Sequence, residues 1–314
     1  MEPVVDARIK PGMKASELIR LYEGIHGFMA GHLAEAARIL REGIKSSRLR
    51  IISFTANLVA TGLRGVIAQL IESGLFNVVI TTAGALDHDI ARAEGGRYLK
   101  GYFEADDSEL RERGYHRLGN VFIPVSDYGP KVEAFVRRLV AKALERGSGR
   151  WPLYKLLKLA GEMLVEEGKG ENSILAAAWR SGADVFVPGW PDGAFGTALF
   201  MEAQRGYRLE VDYYEDMKRL ADLFFPREGA ATALIIGGGI SKHHTIWWSQ
   251  FRDGLDYVVY VTTAVEYDGS LSGAHPREAV SWGKVKPTAR KAVVYGDATI
   301  ILPLLAVALL EGLE

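Results

Sequence analysis

Short apolar runs rich in Val and Ile recur along the chain, separated by helix-length segments. They lie at 50–54, 77–81, 121–125, 184–187, 233–236, 257–261 and 292–295. Several are apolar throughout instead of alternating, the pattern of strands covered on both faces. The fold class this predicts is α/β, a Rossmann-like parallel sheet with helices on both faces. Between the runs, 63–73 places Val66, Ile67, Leu70 and Ile71 on one helical face. Segments 132–146 and 153–167 have similar spacing, and 212–225 starts at Asp212, a residue suited to capping. Segment 87–120 is long, charged and aperiodic, so it reads as a loop that is functional or mobile, with a lid as one use. Gly147-Ser148-Gly149 could be a linker, yet the α/β pattern continues on both sides. The expected organisation is a single catalytic domain over 1–314, with a helical extension over about 1–48.

Composition narrows the function. The 314 residues are 48% hydrophobic and 25% charged, ordinary for a globular enzyme with one or two domains. A formal net charge of −1 gives no electrostatic footprint for nucleic acid or a membrane. The absence of cysteine excludes disulfides, thiolate metal sites and cysteine nucleophiles, and fits a cytoplasmic setting. Glu2, Asp6, Arg8 and Lys10 interrupt any apolar run at the start, so no secretory signal is expected there. The apolar stretch 299–313 contains Pro303 and falls short of the roughly 20 residues of a membrane span, so it is expected to be a buried terminal helix.

In a parallel sheet, ligands bind beyond the carboxyl ends of the strands. Small residues, hydroxyls or acids follow six of the runs: Thr55-Ala56-Asn57-Leu58, Thr81-Thr82-Ala83-Gly84, Pro188-Gly189-Trp190-Pro191-Asp192, Gly237-Gly238-Gly239, Thr262-Thr263-Ala264 and Gly296-Asp297-Ala298. Any one of these is an ordinary turn. Together they favour a nucleotide-type cofactor across the sheet edge, although the G-x-G-x-x-G fingerprint is absent. His243 and His244 are adjacent. On a helix they point about 100° apart, so a shared metal ion is not expected, and one imidazole could instead carry protons. Spacing alone leaves a structural role equally open. Trp247 and Trp248 read as core or interface, because no basic patch accompanies them. Lys284 follows Trp282-Gly283 and could be a covalent catalyst if burial against an aromatic ring disfavours its charge.

Three blocks then carry a resemblance. They are N-L-V-A-T-G-L-R at 57–64 with V-V-I-T-T-A-G at 78–84, I-I-G-G-G-I-S-K-H-H at 235–244, and V-T-T-A-V-E-Y-D-G-S-L-S-G-A-H-P-R-E-A-V-S-W-G-K at 261–284 with V-Y-G-D-A at 294–298. The chain resembles the deoxyhypusine synthase family from about Lys10 onward. The resemblance implies an NAD-dependent aminobutyl transferase that forms an imine with spermidine's aminobutyl group on Lys284. It passes that group to a lysine of the hypusine-bearing translation factor. His243 is then catalytic. Asn57, Leu58, Thr82, Ala83, Gly84, Asp192, Thr263, Ala264, Asp297 and Ala298 bind NAD. Asp87, His88, Gly269, Ser270, Glu278 and Trp282 face the amine, in a cytoplasmic homotetramer with sites at subunit interfaces.

The chain departs from that pattern at three positions where the family carries acids, which here are His88, Thr197 and Leu271. Each carboxylate lost from a desolvated ammonium weakens binding by roughly 1.5–3 kcal/mol. The alternative is therefore the same NAD and imine chemistry on an agmatine- or putrescine-like amine. A non-catalytic NAD-binding homologue is a further alternative. A Schiff-base aldolase on an eight-stranded barrel fits less well, since the pattern has seven strands.

Overall fold

The computed structural model describes residues 2–147 and 149–311. Ser148 and the last residues of the 299–313 stretch lie outside them. The chain forms two compact units, one built from Met1–Phe54, Ser73–Ile80 and Leu220–Glu314 and the other from Thr55–Glu72 and Thr81–Arg219.

The parallel sheet of the first unit has five strands, in the order Val285–Tyr295, Leu255–Thr262, Ala230–Ile236, Ser47–Phe54 and Val78–Ile80. Every pairing among these five is parallel, with Ile52 opposite both Val79 and Leu234 and Val259 opposite both Leu234 and Ala292. Consecutive residues Ile51, Ile52, Ser53 and Phe54 are all fully buried, so both faces of the strand are covered, as the unbroken apolar run requires. Helix Met29–Ser46 packs on this sheet through Leu33, Ala36, Ala37, Leu40 and Gly43. Gly43 is required there: a Cβ on it would lie 2.9 Å from the Tyr257 ring. Helix Ala298–Leu310 contains Pro303 and buries Ile301, Leu302, Leu305 and Leu309, in line with a buried terminal helix.

The second unit holds strand Asp184–Phe186 and most of the helices. Leu63–Glu72, Gly129–Arg146, Leu153–Glu166 and Tyr213–Phe224 match the predicted helices, with Ile67, Leu70 and Ile71 buried and Val66 at the edge of its face. Asp212 accepts from the Glu215 amide at 3.3 Å, the expected cap.

Two expectations are corrected. The 121–125 run is not a strand of the parallel sheet. Val121–Pro124 pairs antiparallel with Tyr115–Leu118 and Leu99–Lys100 in a separate three-stranded sheet. The Leu118–Val121 pairing leaves only Gly119-Asn120 as the turn, with Gly119 at φ 60°, and such a two-residue turn joins antiparallel neighbours. The 87–120 segment is not a structureless loop. It contains the end of helix Ala83–Ala93, the short helix Asp107–Glu112 and two of those strands. Every residue from Ala85 to Ala91 is buried, Asp87, His88 and Asp89 included, so charge in this part of the segment does not mark a solvent-facing loop.

Candidate active site

Helix Gly239–Ser249 follows strand Ala230–Ile236 across the glycine triplet. Gly237 and Gly239 have φ of 83° and 63°, conformations that L side chains rarely adopt. Gly238 is excluded from carrying a side chain by contact: a Cβ there would come within 2.5 Å of Ser272 Cα. Ser272 is held in turn by Thr262, whose hydroxyl donates to its carbonyl at 3.1 Å. The loop after strand Leu255–Thr262 is thus pressed onto the helix start.

Lys284 stands between helix Pro276–Ser281 and strand Val285–Tyr295. Its amide donates to Ala279 at 3.0 Å and its carbonyl accepts from Leu255 at 3.1 Å, so its backbone is fixed on both sides. The residue is only 8% exposed. Its amine lies 5.1 Å from the Trp282 ring centroid and 5.8 Å from that of Trp247, both within cation–π range. It opens on a cavity of about 320 Å³ whose lining includes Lys242, His243, Tyr260, Glu278 and Trp282.

The structure separates the two histidines. His243 stacks on Trp247, with ring centroids 5.8 Å apart, and faces the cavity. Desolvation, then the nearby Lys284 charge, lowers its pKa, so a neutral imidazole is favoured. His244 accepts a hydrogen bond from the Trp248 indole at 3.1 Å, and burial pushes its pKa down to about 4. Each histidine is paired with the tryptophan four residues on, the neighbour on its own helical face.

The remaining positions are placed as follows. Gly269 turns the loop at φ 74°, and the Ser270 amide donates to Asp268 at 2.7 Å. Leu271 lines the Lys284 cavity. Asp297 caps helix Ala298–Leu310 by accepting from the Thr299 amide at 2.8 Å. Thr263 and Ala264 follow the end of strand Leu255–Thr262, and the Ala264 amide donates to the Thr262 hydroxyl.

In the second unit, Asn57 accepts from the Thr55 hydroxyl at 2.6 Å, beside Leu58 in the short helix Ala56–Val59. Thr82 is the N-cap of helix Ala83–Ala93, yet its hydroxyl makes no cap bond and is buried without a partner. Gly84 meets Ala56 closely, since a Cβ on it would lie 2.9 Å from the alanine methyl. Asp192 is exposed just before helix Ala194–Gln204, and Thr197 is exposed on it.

Asp87 and His88 do not face open solvent. Asp87 is 1% exposed and accepts from the Ala194 and Phe195 amides at 2.9 and 2.8 Å and from the Tyr128 hydroxyl at 3.1 Å. Desolvation raises its pKa against the lowering effect of those bonds. Its carboxylate therefore caps the helix that follows Gly193. His88 Nδ1 bonds the Tyr98 hydroxyl at 2.7 Å, and burial, then Arg92, pushes its pKa to about 4. A neutral imidazole cannot replace a carboxylate as the partner of an ammonium.

Sequence reasoning missed Lys242, Tyr260, Tyr98 and Tyr128. Lys242 is 1% exposed, donates to the Ala274 carbonyl at 2.8 Å and lies 4.0 Å from the Tyr260 ring centroid. The signal available was a lysine just before the paired histidines and a tyrosine inside an apolar strand.

The deoxyhypusine synthase family pattern matches residues 17–309. A protein of Aeropyrum pernix named probable deoxyhypusine synthase is 68% identical over 312 residues, covering 99% of both chains. One from Ignicoccus hospitalis with the same name is 52% identical, covering 100% of this chain and 97% of its own. A solved structure from Entamoeba histolytica, assigned to deoxyhypusine synthase, has the same fold with a TM-score of 0.63 at 18% identity, covering 96% of this chain and 94% of that one.

Proposed function

Because the chain belongs to the deoxyhypusine synthase family, a family of transferases, we propose that it carries the aminobutyl group of spermidine on Lys284 to a lysine of the hypusine-bearing translation factor, with NAD as cofactor. The observation that carries this reading is a nearly buried lysine amine with two indole faces and a histidine in one small cavity. The Lys284 amine, when neutral, attacks a carbon at the imine oxidation level. A new C–N bond forms and diaminopropane leaves. His243, favoured neutral, takes the proton from the attacking nitrogen and returns it to the departing one. Trp282 and Trp247 offer their faces to a cationic nitrogen.

The residues present fit a dinucleotide. The buried, unpartnered Thr82 hydroxyl at the start of an 11-residue helix suits a phosphate oxygen, and Ala83 and Gly84 add amides beside it. Asn57, Leu58 and Asp192 are the other candidate cofactor residues of that unit, and Thr263, Ala264, Asp297 and Ala298 those of the first. NAD, when bound, would take up a hydride from the amine and give one back to the product. The reading carries with it a cytoplasmic homotetramer. Among the described residues, no helix is long and apolar enough to cross a membrane.

A second reading keeps this chemistry on a less charged amine, agmatine- or putrescine-like. Asp87 is committed to a helix cap, His88 is held neutral and Leu271 is apolar, so three candidate positions offer no free negative charge. The test is incubation with NAD and spermidine, borohydride reduction and peptide mass mapping, repeated with putrescine and agmatine. Labelling on Lys284, absent in Lys284→Ala, is expected. Labelling at another residue, or none with any of the three amines, rejects the transfer role. Labelling by putrescine or agmatine but not spermidine selects the second reading.

A further inference from the structure

Lys284 is reached through a six-residue helix, Pro276–Ser281, too short to hold itself without its ends. Both acceptors at its start come from one residue. His275 stands at the N-cap with φ −75° and ψ 150°; its Nδ1 accepts from the Arg277 amide at 3.1 Å and its carbonyl accepts from the Glu278 amide at 3.0 Å. Pro276 between them has no amide proton to satisfy. At the far end the Gly283 and Lys284 amides donate to Val280 and Ala279 at 3.0 Å each, with Gly283 at φ 66°. The cap therefore fixes one end of a unit whose other end is the Lys284 backbone. Glu278 and Trp282 of that unit line the Lys284 cavity. Histidine is not among the usual capping residues, and unlike them it titrates close to neutral pH.

His275 borders the Lys284 cavity on one side and, on the other, a groove lined by Glu2, Glu23, His26, His32, Glu35 and Lys291. Desolvation, then Arg277, lowers its pKa; His32 on helix Met29–Ser46 and Lys242 on helix Gly239–Ser249 add to the lowering, and Glu266 opposes it. Glu266 is itself paired with Arg277 at 2.6 Å, and Lys242 is tethered to the Ala274 carbonyl just before the cap at 2.8 Å. Protonation at Nδ1 turns the acceptor into a donor facing the Arg277 amide and sets a cation at a helix N-terminus, where the dipole disfavours it.

We propose that His275 is a positioning residue for Lys284: the neutral imidazole holds the Pro276–Ser281 helix in place, and protonation of that ring releases the helix and the lysine behind it. The proposal rests on the reading of Lys284 as the transfer nucleophile and gives it an acid-sensitive support separate from His243. His275 acts only through the helix.

His275→Asn keeps a capping acceptor that does not titrate, and His275→Ala removes the acceptor. Hydrogen–deuterium exchange of the 276–284 backbone, corrected for the intrinsic pH dependence, reads the helix without any transfer chemistry. From about pH 7.5 to about pH 4.5, across the histidine range, protection in the parent is expected to fall roughly tenfold, the scale of a lost cap. It should stay level in the Asn variant and be low at both ends in the Ala variant. Borohydride labelling of Lys284 with NAD and spermidine should fall with acid in the parent and the Asn variant through His243, but further in the parent. At neutral pH it should be weak in the Ala variant and restored in the Asn variant. Matching exchange profiles in the parent and the Asn variant, or full protection in the Ala variant at neutral pH, overturn the proposal. Expected exchange with equal labelling in all three proteins also overturns it, because the helix would then not position the lysine. Expected exchange with no Lys284 label in any protein supports the cap and rejects the transfer reading, so the two fail separately.

Discussion

Replacing Lys242 with methionine tests whether a buried ammonium beside the Lys284 cavity is held at a cost to the fold. Desolvation lowers the Lys242 pKa from its ordinary value of 10.5 to about 8, partly offset by Glu278. A lowered lysine pKa means that the folded chain binds fewer protons than the unfolded chain between those two values. Stability therefore rises with pH from about 8 to 10.5, and the full cost is present below 8. At 1.36 kcal/mol per pKa unit that cost is about 3 kcal/mol, an order-of-magnitude figure. Lys242→Met removes the cost and also loses the hydrogen bond to Ala274, worth about 1–2 kcal/mol. The variant should be more stable than the parent by about 1–2 kcal/mol at pH 7, and that advantage should disappear by pH 10.5. Urea unfolding of both proteins from pH 6.5 to 10.5 reads this directly. Parallel stability curves across that range would refute the reasoning.

Asp87→Ala removes the acceptor of two buried amides and should cost about 2–4 kcal/mol in urea unfolding, on the scale of a lost cap plus an unpaired donor. A change below about 0.5 kcal/mol would show that the cap contributes little. Arg64→Met leaves Asp89 buried at 1% exposure without the guanidinium that bonds it at 2.7 Å. The expected loss is about 3–5 kcal/mol, seen as a lower thermal midpoint. Ser173 and the Ile174 and Leu175 amides also bond Asp89, so a loss near zero would mean that they alone satisfy it. Gly238→Ala pushes a methyl group into Ser272 and should cost about 1–3 kcal/mol while displacing the loop pressed onto the helix. The checks are thermal unfolding and borohydride labelling of Lys284, and full labelling with unchanged stability would refute the packing argument.

The periodic pattern determined much by itself. Unbroken apolar runs identify the strands of a doubly covered sheet, because a strand with no polar face must be buried on both. Residues 57–64, 78–84, 235–244, 261–284 and 294–298 were enough to place the chain in its family. Lys284 could be marked by residue type as a candidate nucleophile, whereas His243 and Trp282 became candidates only through the family resemblance. Tertiary structure decided the rest. The 121–125 run shares the Val and Ile of a parallel strand, with Pro124 as the one residue against a central position, and its pairing through Gly119-Asn120 makes it antiparallel. Segment 87–120 read as a charged loop partly because Asp87, His88 and Asp89, which suggest a solvent-facing stretch, are buried in the end of helix Ala83–Ala93. Asp87 looked like a ligand to an amine, and three converging donors show its charge committed to a helix end. Lys242 lies 18 residues from Tyr260 and 32 from Ala274 in sequence, so their contact carries no local signal. Local preference records which element a residue favours, whereas partners far apart in sequence decide how its charge is used.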